Sequence, residues 1–78
     1  MSERVVCFVT SAEEGRPAFA IRSDNDESVF ISTKLAEEQG IEEGDRLQII
    51  MIANQNMPEK TPWFAIWVTN LDDQEAQA

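Results

Sequence analysis

Apolar residues in this chain come in short runs separated by polar, turn-forming segments. Arg4–Thr10 (RVVCFVT), Ala18–Arg22 (AFAIR), Val29–Ser32 (VFIS), Arg46–Ala53 (RLQIIMIA) and Trp63–Thr69 (WFAIWVT) are rich in β-branched and aromatic side chains and predict five strands. Ser11–Arg16 is a polar turn containing Gly15, and Pro17 fits the opening position of the second strand, where its missing N–H does no harm. Ser23–Glu27 (SDNDE) is turn chemistry, Asn54–Thr61 a loop, and Pro62 leads into the last strand. Between the third and fourth strands, Ser32 and Thr33 offer N-cap oxygens to the helix formers Lys34–Gln39. Gly40 stands where a C-terminal glycine stops a helix, with Ile41 able to fold back on Leu35. Glu42–Asp45 then makes an acidic turn. Five short strands and one short helix, without internal repeat or linker, predict a small all-β barrel.

Strand alternation assigns faces. On the fourth strand Leu47, Ile49, Met51 and Ala53 share the inner face, which leaves Ile50 and Ile52 apolar on the outer one. On the fifth, Phe64, Ile66 and Val68 are expected inside and Trp63, Ala65 and Trp67 outside. Both strands are thus apolar on both faces. Either Met57, the tail and the loop stems cover the outer face, or a partner does. Ile50, Ile52, Trp63 and Trp67 are the candidate residues for such an interface, with a protein partner or a second copy as the occupant.

Composition narrows the chemistry. The 78 residues make one domain, residues 1–70, followed by an acidic tail, 71–78, expected to be frayed. Histidine is absent and Cys7 is the lone cysteine, so a Ser–His–Asp triad, a Cys–His couple and a zinc site are excluded by inventory. Asp24–Glu27 lacks the spacing of a calcium loop. The Glu37–Glu38 and Glu42–Glu43 pairs lack the burial that acid–base work needs. No nucleophile motif or phosphate loop is present, and the expectation is a non-catalytic protein without cofactor or metal. With no apolar run of about 20 residues and no basic-then-apolar leader, a soluble cytoplasmic protein is expected, without membrane contact. Fifteen acidic against six basic residues give a net charge of −9, which favours solubility and disfavours simple phosphate binding.

The ordered pieces Val5–Thr10, Arg16–Ile21, Val29–Ser32, Glu43-Gly44-Asp45 and Ala65–Val68 resemble the bacterial cold-shock domain. That family is a five-stranded OB-type barrel built on a T-V-K-W-F-N strand, a K-G-F-G-F-I motif, V-F-V-H and an E-G-D turn. The resemblance implies single-stranded RNA or DNA as a weakly bound partner, with little sequence preference. Phe8 takes the place of the family's tryptophan and Phe30 that of its V-F-V-H phenylalanine, each either stacking a base or packing the core. Ala18 and Ala20 replace the two motif phenylalanines, Ser32 replaces the histidine, and a one-residue slip would return Phe19 to the binding face. Arg16 and Lys60 are the basic residues placed to meet phosphates. Since each stacking platform is worth roughly 1–3 kcal/mol, the depleted set implies micromolar rather than tight binding.

A second resemblance is local. Lys34, Leu35, Gly40, Ile41, Gly44, Asp45, Leu47 and Ile49 are similar to AbrB-like swapped-hairpin DNA-binding domains, in which two chains interleave into a dimeric regulator. It covers about twenty residues and gives the last strand no role. Three readings stand at this point: a nucleic-acid-binding barrel, a protein-interaction barrel and an interleaved dimer.

Overall fold

The computed structural model describes residues 2–55 and 59–71. It contains β1 (Glu3–Ser11), β2 (Ala18–Arg22), β3 (Ser28–Ile31), α1 (Thr33–Gln39), β4 (Arg46–Ala53) and β5 (Trp63–Asn70). The strands close a barrel in the order β1-β2-β3-β5-β4. All neighbours are antiparallel except β3 and β5, which run parallel. This is a mostly β, five-stranded closed barrel with its helix between the third and fourth strands, consistent with OB-fold topology.

Local chemistry explains the junctions. The Ser32 hydroxyl accepts the Leu35 amide at 3.3 Å and starts α1. Gly40 ends it in the left-handed region (φ 60°), a conformation that costs a side-chain-bearing residue energy, and its N–H returns to the last turn. Ile41 and Leu35 are then both buried against the barrel, as the capping pattern predicts. Asp45 fastens the next turn by accepting the Glu42 amide at 2.8 Å. In the SDNDE segment Asn25 accepts the Glu27 amide at 3.0 Å and Asp26 takes φ 60°, so these residues form a tight turn. Asn54 ties the two ends of the β4–β5 connection together by donating to the Thr61 carbonyl and hydroxyl, both at 2.8 Å.

Nine-residue β1 serves two neighbours, pairing β4 from Glu3 to Phe8 and β2 from Cys7 to Ser11. The core is Cys7, Val9, Ala18, Ala20, Val29, Ile31, Leu47, Ile49, Met51, Ala65 and Val68, sealed at one end by Leu35, Ala36 and Ile41 of the helix region. The inward assignment of Leu47, Ile49 and Met51 holds, whereas Ala53 is exposed at the strand's end.

On β5 the faces expected for Trp67 and Val68 hold, and those expected for residues 63–66 are overturned. Ile50 pairs with Trp67 but Met51 pairs with Ala65, so Ile66 is an extra residue against β4, a β-bulge. Alternation restarts across it. Trp63, Ala65 and Val68 lie on the inward side, and Phe64, Ile66 and Trp67 on the outward side. Trp63 and Trp67, expected on one face, point to opposite ones. The two strands flanking α1 are not neighbours: β3 pairs β2 and β5, while β4 pairs β1 and β5, and the barrel closes within a single chain. The expectations for Met57 and for the tail beyond Leu71 fall outside the described residues.

Cys7 is fully buried, and that burial pushes its thiol up to about 11, with Arg22 opposing and Asp24 reinforcing the shift. A thiol whose folded value is raised stabilises the fold fully below its unfolded value near 9 and loses that contribution as pH rises toward 11. Urea titrations should therefore show an alkaline decline of up to about 3 kcal/mol that Cys7→Ala lacks. Equal pH profiles for the two proteins would contradict the assignment.

Candidate nucleic-acid interface

In a sheet, residues directly opposite share a face, so the register fixes what the barrel shows to solvent. Phe8 on β1 lies opposite Ile21 on β2 and Arg46 on β4, and it is 43% exposed. Phe19 on β2 lies opposite Phe30 on β3, which in turn lies opposite Phe64 on β5. The rings form a row. Phe19 and Phe30 meet edge to face at 5.7 Å between centroids, and Phe30 and Phe64 stack at 5.8 Å with 20° between planes. These spacings fall in the favoured range for aromatic pairs, and all three rings keep partial exposure.

Ala18 and Ala20 are fully buried while Phe19 faces out, so the slip considered from sequence is the observed register. The alanines are core residues and do not mark missing platforms. Phe64, expected inside, belongs to the outward row because of the bulge. No pattern in the sequence announces that, since a bulge is a relation between two strands.

The other candidates divide. Arg16 stands in the exposed β1–β2 loop, lines a shallow recess with Pro17 and Phe19, and pairs with Glu13 at 3.7 Å across solvent. Lys60 is exposed in the β4–β5 loop. The Ser32 hydroxyl is engaged as helix cap. Ile50 is half-buried between Arg4 and Trp67, and Ile52, 38% exposed, stands opposite Phe64. Ile66 and Trp67 are 45% and 49% exposed.

Trp63 and Arg22 close the opposite side of the sheet. The Arg22 side chain is only 5% exposed; its Nε donates to Asp24 Oδ1 at 2.9 Å, and Nη2 donates to Asp24 Oδ2 at 2.7 Å and Glu3 Oε1 at 3.0 Å. Its guanidinium lies 4.6 Å from the Trp63 ring centre, and the indole Nε1 donates to Glu27 Oε1 at 3.0 Å. Arg22 is therefore committed to the fold. The hydrogen bond from Arg22 holds Asp24 below the usual carboxylate range.

Charge is segregated. Among the described residues, eleven of the twelve acidic side chains lie outside the strands. The exception, Glu3, sits on the inward side of β1 where it reaches Arg22. The outward strand positions carry Val, Phe, Ile, Trp and neutral polar residues together with Arg4 and Arg46, and no carboxylate. Among the described residues no helix is long and apolar enough to cross a membrane.

No protein-family model matches the chain, and neither a curated protein nor a solved structure matches it significantly.

Two outcomes follow from this geometry. Ala20→Phe, which puts a large ring where the barrel is already filled, should destabilise by about 1–3 kcal/mol in urea unfolding. A gain in stability would contradict the inward assignment. Because the folded value of Asp24 is depressed, its contribution is present above the ordinary value near 4 and is lost as pH falls through the depressed one. The stability difference between the wild type and Asp24→Asn should therefore be full at pH 7 and shrink toward zero in strong acid; a constant difference would refute the pairing.

Proposed function

We propose that this barrel is a non-catalytic, single-stranded nucleic-acid-binding protein, with low sequence preference and micromolar affinity. The observation that carries the reading is the outward row Phe19–Phe30–Phe64, flanked by Phe8, on strand faces without a carboxylate. Aromatic faces stack any base, which gives affinity without readout of sequence. OB-type barrels bind strands over the β2–β3 face between the β1–β2 and β4–β5 loops. Here Phe19 and Phe30 occupy that face, and Arg16 and Lys60 stand in those two loops.

The net charge of −9 weakens long-range attraction, yet the acids of the described residues line the loops and the helix rather than the row itself. Stacking then supplies most of the affinity and few phosphates are neutralised. With Arg16 and Lys60 engaged, the slope of log K against log salt is roughly −1.4 for a single strand.

Fluorescence anisotropy with a labelled oligopyrimidine at low salt tests the reading. Micromolar binding, a shallow salt slope and a roughly 5- to 150-fold loss in Phe30→Ala are expected. Absence of binding at tens of micromolar folded protein would overturn it.

A further inference from the structure

The aromatic row does not end at Phe30, and its continuation lies on a strand away from the β2–β3 face. Phe64 extends the row onto β5, stacked on Phe30. Beyond the inward Ala65 the bulge turns two consecutive residues outward, Ile66 and Trp67, which without the extra residue would alternate between core and solvent. Trp67 is 49% exposed and hence able to offer ring area to a ligand. Three residues along a strand separate it from Phe64, about 10 Å.

Two cations flank this indole. Arg4, Ile50 and Trp67 are successive partners across β1, β4 and β5, which sets the Arg4 and Trp67 backbones about 10 Å apart, within reach of an arginine side chain. On the other side, Lys34 of α1 lines a cleft of about 330 Å³ with Leu35, Phe64, Ile66 and Trp67; Glu38 is the one acid lining it. Among the described residues neither Arg4 nor Lys34 forms an ion pair.

We propose that a bound single strand continues from Phe30 across Phe64 to the bulge, where a base stacks on Trp67 and Arg4 and Lys34 meet its phosphates. This rests on the nucleic-acid reading of the aromatic row and extends it to a second stacking station. Charge complementarity and continuity with the row select this occupant. A second copy would present the same face with its own Arg4 and Lys34, setting like charges rather than opposite ones against each other.

The test compares four- and ten-nucleotide oligothymidylates on the full chain, with circular dichroism confirming the fold of each variant. The wild type should bind the decamer more tightly than the tetramer and quench its exposed indole on binding. Trp67→Ala should weaken the decamer roughly 5- to 150-fold and abolish most of the gain with length, while Trp67→Phe retains it. Arg4→Glu, which leaves the indole in place, should weaken the decamer and make the salt slope shallower by about 0.7. Decamer binding untouched by Trp67→Ala but weakened by Phe30→Ala would overturn the second station and leave the parent reading standing. No oligonucleotide binding by the wild type would remove both. Concentration-dependent self-association that Trp67→Ala abolishes, with decamer binding unchanged, would overturn the proposal in favour of a protein interface.

Discussion

Closing five short strands around so small a core obliges β5 to satisfy two neighbours at once, β4 antiparallel and β3 parallel. Its ladder with β4 runs the length of the strand, whereas only Val29–Trp63 and Phe30–Phe64 join it to β3. The bulge at Ile66 reconciles the two. It adds twist where the barrel closes and lets Ala65 and Val68 both reach the core. Everything distinctive about the outer surface follows from that inserted residue. It turns Phe64 outward to complete the row with Phe30, places Ile66 and Trp67 in solvent, and sends Trp63 to the inner side.

Trp63's inward turn is matched by an unusual neighbour. A buried arginine is costly unless its charge is answered, and Arg22 is answered by two carboxylates and an indole face. Glu3 comes from β1, Asp24 from the β2–β3 turn and Trp63 from β5, so one guanidinium ties three parts of the barrel end together. Its geometry requires the β5 register that the bulge sets, since a one-residue shift would carry Trp63 to the other face.

Segregation of charge lets an acidic protein keep a neutral-to-basic outer strand surface. Strand residues alternate between a filled core and an outer face of aromatics, aliphatics, neutral polar residues and two arginines; among the described residues the loops and the helix hold every carboxylate but that of Glu3. Screening confines exposed charges to about 8–10 Å at physiological salt, so a loop carboxylate acts mainly on its own surroundings. Net charge then describes solubility better than it describes the local field over Phe30.

The sequence by itself determined the elements. Both ends of Ala18–Arg22 and Arg46–Ala53 were legible, and so were the Ser32 cap, the Gly40 stop and the inward triplet Leu47, Ile49 and Met51. Propensity, capping and alternation are local, and they act within a turn or a strand. Tertiary structure decided which side of β5 meets the core, because a bulge depends on the register of the partner strand. It likewise decided that Phe19 rather than the alanines faces out, since one residue of slip inverts every face and only closure of the barrel chooses between the two. The commitment of Arg22 was equally hidden. Its partners Glu3 and Trp63 are far apart in the chain, and only the assembled sheet brings them to one guanidinium.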